Sequence, residues 1–440
     1  MKKILSTVAA IGLVAGVATT ASALDFSVSG NYTVEGYYLG SANGNGVTLQ
    51  EAANVDNSSD AYWMHTFAMK PTMTVNDKIK MAGEIRLADD SEWGNQDDTG
   101  NVGVNAAAGD VYVHRLYMEW LSPMGKVHMG RVSSGAFGTK FLDNDGRANG
   151  IKFWPSALAS GPWKTYIATS KGTDGDGVSA VNTQSAADND SYDFRVYYKT
   201  DSVDASIRYV YGNNNSVITQ ATQTDMINPY LIYKTGDYFF AFEGVSVKAD
   251  TDLDAGGTTE TDAKAALVEV GGNFGNLSAA LAYVYASGDA NATDNQTENA
   301  LGSSGSEFEP LYILTGSHMG LLNSDVQGAD SQGYGMGEAG CHVVALMGDY
   351  KVSDRLTLHG AIAIAQADEE VQVGGAQSYA NRDDSYGTEY NIGAAYKLLD
   401  NLTYEAHFGY LDTGEFFDSA ANAGDAESII TLSHHLTMNF

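Results

Sequence analysis

Ionisable side chains recur at every second position in several stretches of this chain. Lys78, Lys80, Glu84 and Arg86 form one row, Arg115, Tyr117 and Glu119 a second, and Asp193, Arg195, Tyr197 and Lys199 a third. Asp204 with Arg208, Glu269, Glu389 with Lys397, and Glu405 with His407 extend the pattern. A period of two places each row on one face of an extended strand. Rows that mix both signs can attract, order and discriminate ions and polar solutes. They do not bring a nucleophile to its base, so the chemistry they offer is electrostatic.

Bond-making signatures are missing. There is no G-x-S-x-G elbow and no H-E-x-x-H pair. Gly335-Met336-Gly337-Glu338-Ala339-Gly340 spells G-x-G-x-x-G, but it follows a polar loop and leads into a strand pattern, where a dinucleotide fingerprint needs a strand before and a helix after. Asp143-Asn144-Asp145-Gly146 and the run Asp250-Thr251-Asp252-Leu253-Asp254 resemble pieces of calcium loops without the Glu at the twelfth position. His434 and His435 alternate across a strand and cannot chelate one ion together, and Ser433-His434 has no acid nearby. The single Cys341 rules out an internal disulfide, a haem attachment and a cysteine zinc site. No catalytic residue, cofactor or metal is expected, and the chain is not expected to be an enzyme. With 24 basic against 55 acidic residues and a net charge of −31, nucleic acid is excluded as a partner.

The elements that carry these rows are strands. Phe26-Val28-Tyr32-Val34, Trp63-Phe67-Met69-Met73, Ile79-Met81-Ile85-Leu87 and Tyr112-Leu116-Met118-Trp120 open a series of apolar alternations that continues to the last residue. Connections alternate in length. Short turns fall at Asn76-Asp77, at Ser122 to Gly125 and near Asp201, Gly236, Asn276, Asp354 and Asp400; long polar loops fall near 41–60, 172–190, 212–224, 250–262, 288–337, 368–386 and 413–426. No window approaches the roughly 18 apolar residues of a spanning helix. The 49 Gly, 26 Tyr and 15 Phe, with a mean hydropathy of −0.21, suit strands, tight turns and aromatic girdles. At the N-terminus, Lys2 and Lys3, the apolar stretch Ile4 to Val17 and Ala21-Ser22-Ala23 predict a secretory signal peptide over residues 1–23, removed before folding. The rest, 24–440, reads as a single domain. If it sits in a bilayer it must do so as a closed barrel, since no open sheet satisfies its edges in lipid.

The C-terminus, Leu436, Met438 and the final Phe440 on alternate positions, resembles that of bacterial outer-membrane β-barrels, where such a strand is the sorting signal for the barrel-insertion machinery. The long and short loops agree with that family, which implies an all-β transmembrane antiparallel β-barrel of about 18 strands, with 16 the alternative, short periplasmic turns and long extracellular loops. Gly125 to Arg131 followed by Gly135-Ala136-Phe137-Gly138 resembles the porin segment where a strand ends in Gly-Arg and a loop folds into the barrel. That likeness implies an inserted loop over about 134–150, with Arg131 on the wall and Lys140, Asp143, Asp145 and Arg147 at a constriction. Glu84, Arg86, Arg115, Glu119, Arg195, Arg208, Glu269, Glu405 and His407 would line the pore. The segment Glu307-Phe308-Glu309-Pro310-Leu311-Tyr312, with His318, Gly320 and Asp325, is similar to a loop of the alginate-export type of eighteen-stranded barrel. Its apolar residues suggest a packed plug or lid.

The resemblance implies a bacterial outer-membrane porin for passive diffusion of small hydrophilic solutes and ions, and the acidic excess predicts mild cation selectivity that fades as salt rises. Lipid and lipopolysaccharide would surround it, and both homotrimer and monomer remain open. Alternatives are a polymer or substrate-specific export channel, or a barrel that sheathes a partner such as an electron-transfer protein.

Overall fold

The computed structural model describes residues 24–40, 42–43, 46–47, 60–93, 111–144, 146–173, 188–215, 220–253, 256–291, 294–299, 308–316, 321–322, 339–369, 383–417 and 428–440. The predicted signal peptide, Asp145, Glu307, His318, Gly320 and Asp325 lie outside them. Eighteen strands close into one antiparallel barrel, the larger of the two expected counts. They are β1 (Asp25–Gly40), β2 (Asp60–Thr74), β3 (Ile79–Glu92), β4 (Tyr112–Ser122), β5 (Gly125–Ser133) and β6 (Arg147–Pro155). Then come β7 (Trp163–Thr173), β8 (Asn189–Lys199), β9 (Val203–Asn214), β10 (Gln220–Thr235), β11 (Tyr238–Leu253) and β12 (Thr258–Phe274). The circuit ends with β13 (Leu277–Ala286), β14 (Cys341–Lys351), β15 (Leu356–Gln366), β16 (Ser385–Leu399), β17 (Leu402–Thr413) and β18 (Ile429–Asn439). Each strand pairs with its neighbours in sequence, and β1 pairs with both β2 and β18. A two-residue strand, Gln296–Thr297, runs parallel to Glu260 and Thr261 of β12.

Closure reaches the last residue. Phe440 and Gly30 exchange backbone hydrogen bonds of 2.9 and 3.1 Å, and the Phe440 ring stands 6.0 Å from Phe67. Both ends of the barrel chain therefore meet at the end that carries the short turns. At that end Asn76 Oδ1 accepts from the Lys78 and Ile79 N–H groups, and Gly236 turns with φ +57°, a conformation that disfavours other residues. The stretch between β6 and β7 turns through a short 3-10 helix, Ser156–Leu158.

One parity of the strands forms an apolar outer belt. Leu116, Ile151, Val196, Ile207, Leu281, Leu346 and Ile392 point outward, and Ile392 is 62% exposed. Such a band on a folded chain is stable only against lipid. Tyr192, Tyr209 and Tyr390 near the long-loop end and Trp120, Trp163, Tyr238, Phe274, Tyr350 and Tyr396 near the turn end border it on both sides.

The sequence reading needs correction at two loops. Strands β9 to β12 run on through most of 212–224 and 250–262, so Asp250 to Leu253 belong to β11 rather than to a loop. Beyond a bilayer's thickness both faces of a strand are wet, and the apolar alternation that marks a strand disappears. The predicted inserted loop is also shorter, because Arg147 already opens β6.

Candidate functional site

The inner face of the barrel is divided in two. On β3 to β9 it is charged and aromatic; on β11 to β16 it is small and apolar. The division explains what the two inserted segments do.

The charged half begins at β3 and β4. Glu84 binds both Arg86 (2.9 Å) and Arg115 (3.5 Å). The β3–β4 register slips between Glu84 and Ile85, opposite His114 and Arg115. This bulge turns both of those residues inward, with His114 fully buried and Leu116 back on the outer face. His128 of β5 bonds Glu119 at 2.9 Å and stacks on Tyr117. Lys126 lies 4.2 Å over the Trp154 ring, and Lys152 faces the Tyr166 ring. Lys126 and Lys152 make no ion pair among the described residues. On β8 and β9, Asp193 joins Arg195 (2.6 Å) and Arg208 (2.9 Å).

The loop 134–146 crosses the lumen to this wall and beyond it. The Ala136 carbonyl accepts from Arg195, whose guanidinium lies 4.9 Å over the Phe137 ring and 4.5 Å over Tyr166. Further along, the N–H and hydroxyl of Thr139 both donate to Glu243 of β11 at 2.7 Å, and Asn228 of β10 donates to the same carboxylate. Glu243 has no exposed surface. Gly138, at φ +82°, must be glycine for two reasons: its backbone is left-handed, and a Cβ there would collide with the Glu243 carboxylate.

The apolar half is covered by the segment Phe308 to Gly316. Leu311, Ile313 and Leu314 are fully buried against Leu267, Val284, Val343, Ala363 and Tyr386 of the wall. Phe308 meets Phe141 of the first loop edge-on at 5.7 Å, so the two inserted segments share one core. Glu389 of β16 accepts from the N–H groups of Tyr312, Ile313 and Leu314 at 2.7–2.8 Å. One buried carboxylate thus fixes the whole turn. Burial, helped by the charges of Glu405, Asp349 and Glu389, pushes the Tyr312 phenol up to about 12. It stays a hydroxyl, 2.7 Å from His407 Nδ1.

The residues expected at a constriction are placed as follows. Lys140 is exposed at the loop tip, with φ 143°. Asp143 accepts from the Phe137 N–H and so closes its own loop. Arg147 stands at the start of β6, 5.6 Å over the Tyr112 ring. Arg131 pairs in register with Leu116 and Asn149, the parity of outward Leu116 and Ile151, and donates to the His114 carbonyl. Register therefore sets it apart from the inner wall. Of the expected pore-lining residues, Glu84, Arg86, Arg115, Glu119, Arg195 and Arg208 gather on the charged half, whereas Glu269, Glu405 and His407 line a separate cavity under the second loop. Sequence reasoning missed Glu243, His114, Lys152 and Tyr312. Glu243 carried a readable signal, being the lone acid on the inner parity of Ala241 and Val245.

No known protein-family pattern and no curated protein matches this chain. Solved structures do. OccK9 (OpdG) of Pseudomonas aeruginosa matches at 12% identity and a TM-score of 0.55, over 94% of this chain and 99% of its own. The fold is that of the bacterial outer-membrane porins. OccK8 (OprE) of the same organism matches at 11% identity and a TM-score of 0.51, over 94% and 98% of the two chains. The outer membrane protein opdK, also from Pseudomonas aeruginosa, matches at 9% and 0.51, over 94% and 99%.

Proposed function

We propose that the protein is a channel of the bacterial outer membrane through which small hydrophilic solutes and ions diffuse passively. The observation that carries this reading is the charged inner wall of β3 to β9, faced by the loop 134–146 inside a barrel whose outside is apolar. Charge turned inward and apolar surface turned outward make sense only with water in the lumen and lipid around it. The outward Leu436 and Met438 and the terminal Phe440 support delivery by the barrel-insertion machinery.

The wall also supports anion preference in the narrow part rather than the cation preference expected from the sequence. That expectation rested on the acidic excess of the chain, with Asp143 and Asp145 adding to it as acids of the lumen. Asp143 is engaged within its loop, and Asp145 lies outside the described residues. On the wall, Glu84 and Asp193 are each shared by two arginines, while Lys126 and Lys152 add positive charge.

Planar-bilayer recording of the purified barrel tests the reading. Steady ohmic conductance to several salts is expected. A folded barrel that never conducts would instead favour a sheath around a partner.

A further inference from the structure

Beneath the second loop, on the apolar side of the lumen, lies a cavity of about 450 Å³ roofed by Glu309, Pro310 and Tyr312. Its polar lining differs from the wall across the lumen. It holds His359, His407 and His435 with Glu269, Glu405 and Asp349, and neither Lys nor Arg lines it. Glu405 and His435 are cross-strand partners on β17 and β18, and His407 lies two residues along on the same face. One ligand atom from each of Glu405, His407 and His435 lies within 4.8 Å of the other two.

We propose that this cavity binds a divalent transition-metal ion through Glu405, His407 and His435. Two imidazoles and one carboxylate form a borderline donor set that suits Zn²⁺ and its neighbours better than Mg²⁺ or Ca²⁺. Zinc bonds such ligands at about 2.0–2.2 Å, so small side-chain rotations close the present spacing. Both rings are already oriented by outer partners. The Tyr312 hydroxyl is 2.7 Å from His407 Nδ1 and Glu35 lies 3.5 Å from His435 Nδ1, while the Tyr37 hydroxyl, 3.2 Å from His435 Nε2, holds the place that the ion would take. A fixed partner on one ring nitrogen aims the other, as outer ligands do in metal sites generally. Glu269, Glu309 and Asp349 add negative potential, which draws in a cation and lets the cavity hold it against the basic wall opposite. Three protein ligands leave a coordination position open to the cavity, so the ion is exchangeable rather than structural.

The inference needs an aqueous lumen but not a conducting one, so its test is separable from that of the channel reading. The purified, untagged barrel in detergent is dialysed to equilibrium against micromolar Zn²⁺ with excess Mg²⁺, and bound metal is counted. One Zn²⁺ per barrel is expected, with saturation. The double variant His407→Gln/His435→Gln should lose saturable binding, and Tyr312→Phe should weaken it about 10–100-fold as the loss of an orienting partner does. Heat-modifiable gel mobility verifies that each variant is folded. Should the double variant not fold, the near-isosteric Glu405→Gln decides, with an expected loss of about tenfold or more. No stoichiometric zinc on the native barrel, or unchanged binding in the folded variants, overturns the proposal.

Discussion

At the residue scale, buried carboxylates govern where the inserted segments go. Glu243 receives two donors from Thr139 and one from Asn228 with no access to solvent. Hydrogen bonds to a charged acceptor are worth about 1.5–3 kcal/mol each. Glu243→Gln keeps the shape but removes the charge and turns one acceptor into a donor, which must face either the Thr139 donors or the Asn228 amide. The expected outcome is a loosened loop 134–146, read as higher and noisier single-channel conductance with unchanged heat-modifiable mobility. Identical traces would show that the loop is held elsewhere. What was legible here followed parity. Arg195 and Arg208 could be placed from alternation alone; alternation also puts Arg131 on the outward parity of Val127 and Met129, and only the porin resemblance placed it on the wall. The bulge was written in the sequence as a change of apolar parity, from Val111 and Val113 to Leu116 and Met118, across His114 and Arg115. A strict period of two carried through the strand conceals it.

At the element scale, the apolar inner face of β11 to β16 and the segment Phe308 to Gly316 require each other. Ala265, Ala282, Val284, Ala345 and Ala363 would be poor walls for water, and Leu311, Ile313 and Leu314 could not stand in it. Strands with apolar residues on both faces read as continuous hydrophobic runs, so the sequence conceals which face meets lipid and which meets the plug. The loop's own apolar residues pointed to a packed lid, but not to the wall beneath it. That wall was legible only once closure had brought β13 and β16 to the same side of the lumen. Glu389→Leu strips three buried N–H groups of their acceptor, at a cost of about 1–3 kcal/mol for each donor left unpaired. The segment should then leave the wall. Limited proteolysis of intact vesicles is expected to cut within 308–316 in the variant and not in the native barrel, and conductance should rise. Protection equal to that of the native barrel would mean that apolar packing alone holds the plug.

At the scale of the whole molecule, two fields of opposite sign compete. The chain carries a net charge of −31, and Asp190, Asp250, Asp252, Glu260 and Asp262 stand at the long-loop ends of their strands, where they concentrate cations at the mouth. The wall of β3 to β9 is basic on balance, with Lys126 and Lys152 outside the ion pairs that tie up Glu84 and Asp193. Salt separates the two. Exposed charges are screened over about 10 Å at 0.1 M and about 3 Å at 1 M, while charges flanking a narrow passage act on a permeating ion at close contact. Raising KCl should therefore silence the mouth before the wall, and selectivity should shift toward anions as salt increases. The double variant Lys126→Gln/Lys152→Gln should reduce that anion preference at high salt while leaving the low-salt behaviour nearly unchanged. Reversal potentials across KCl gradients at two mean concentrations measure both effects. A cation preference that grows with salt, or a double variant indistinguishable from the native channel at high salt, would place the selective charges away from this wall.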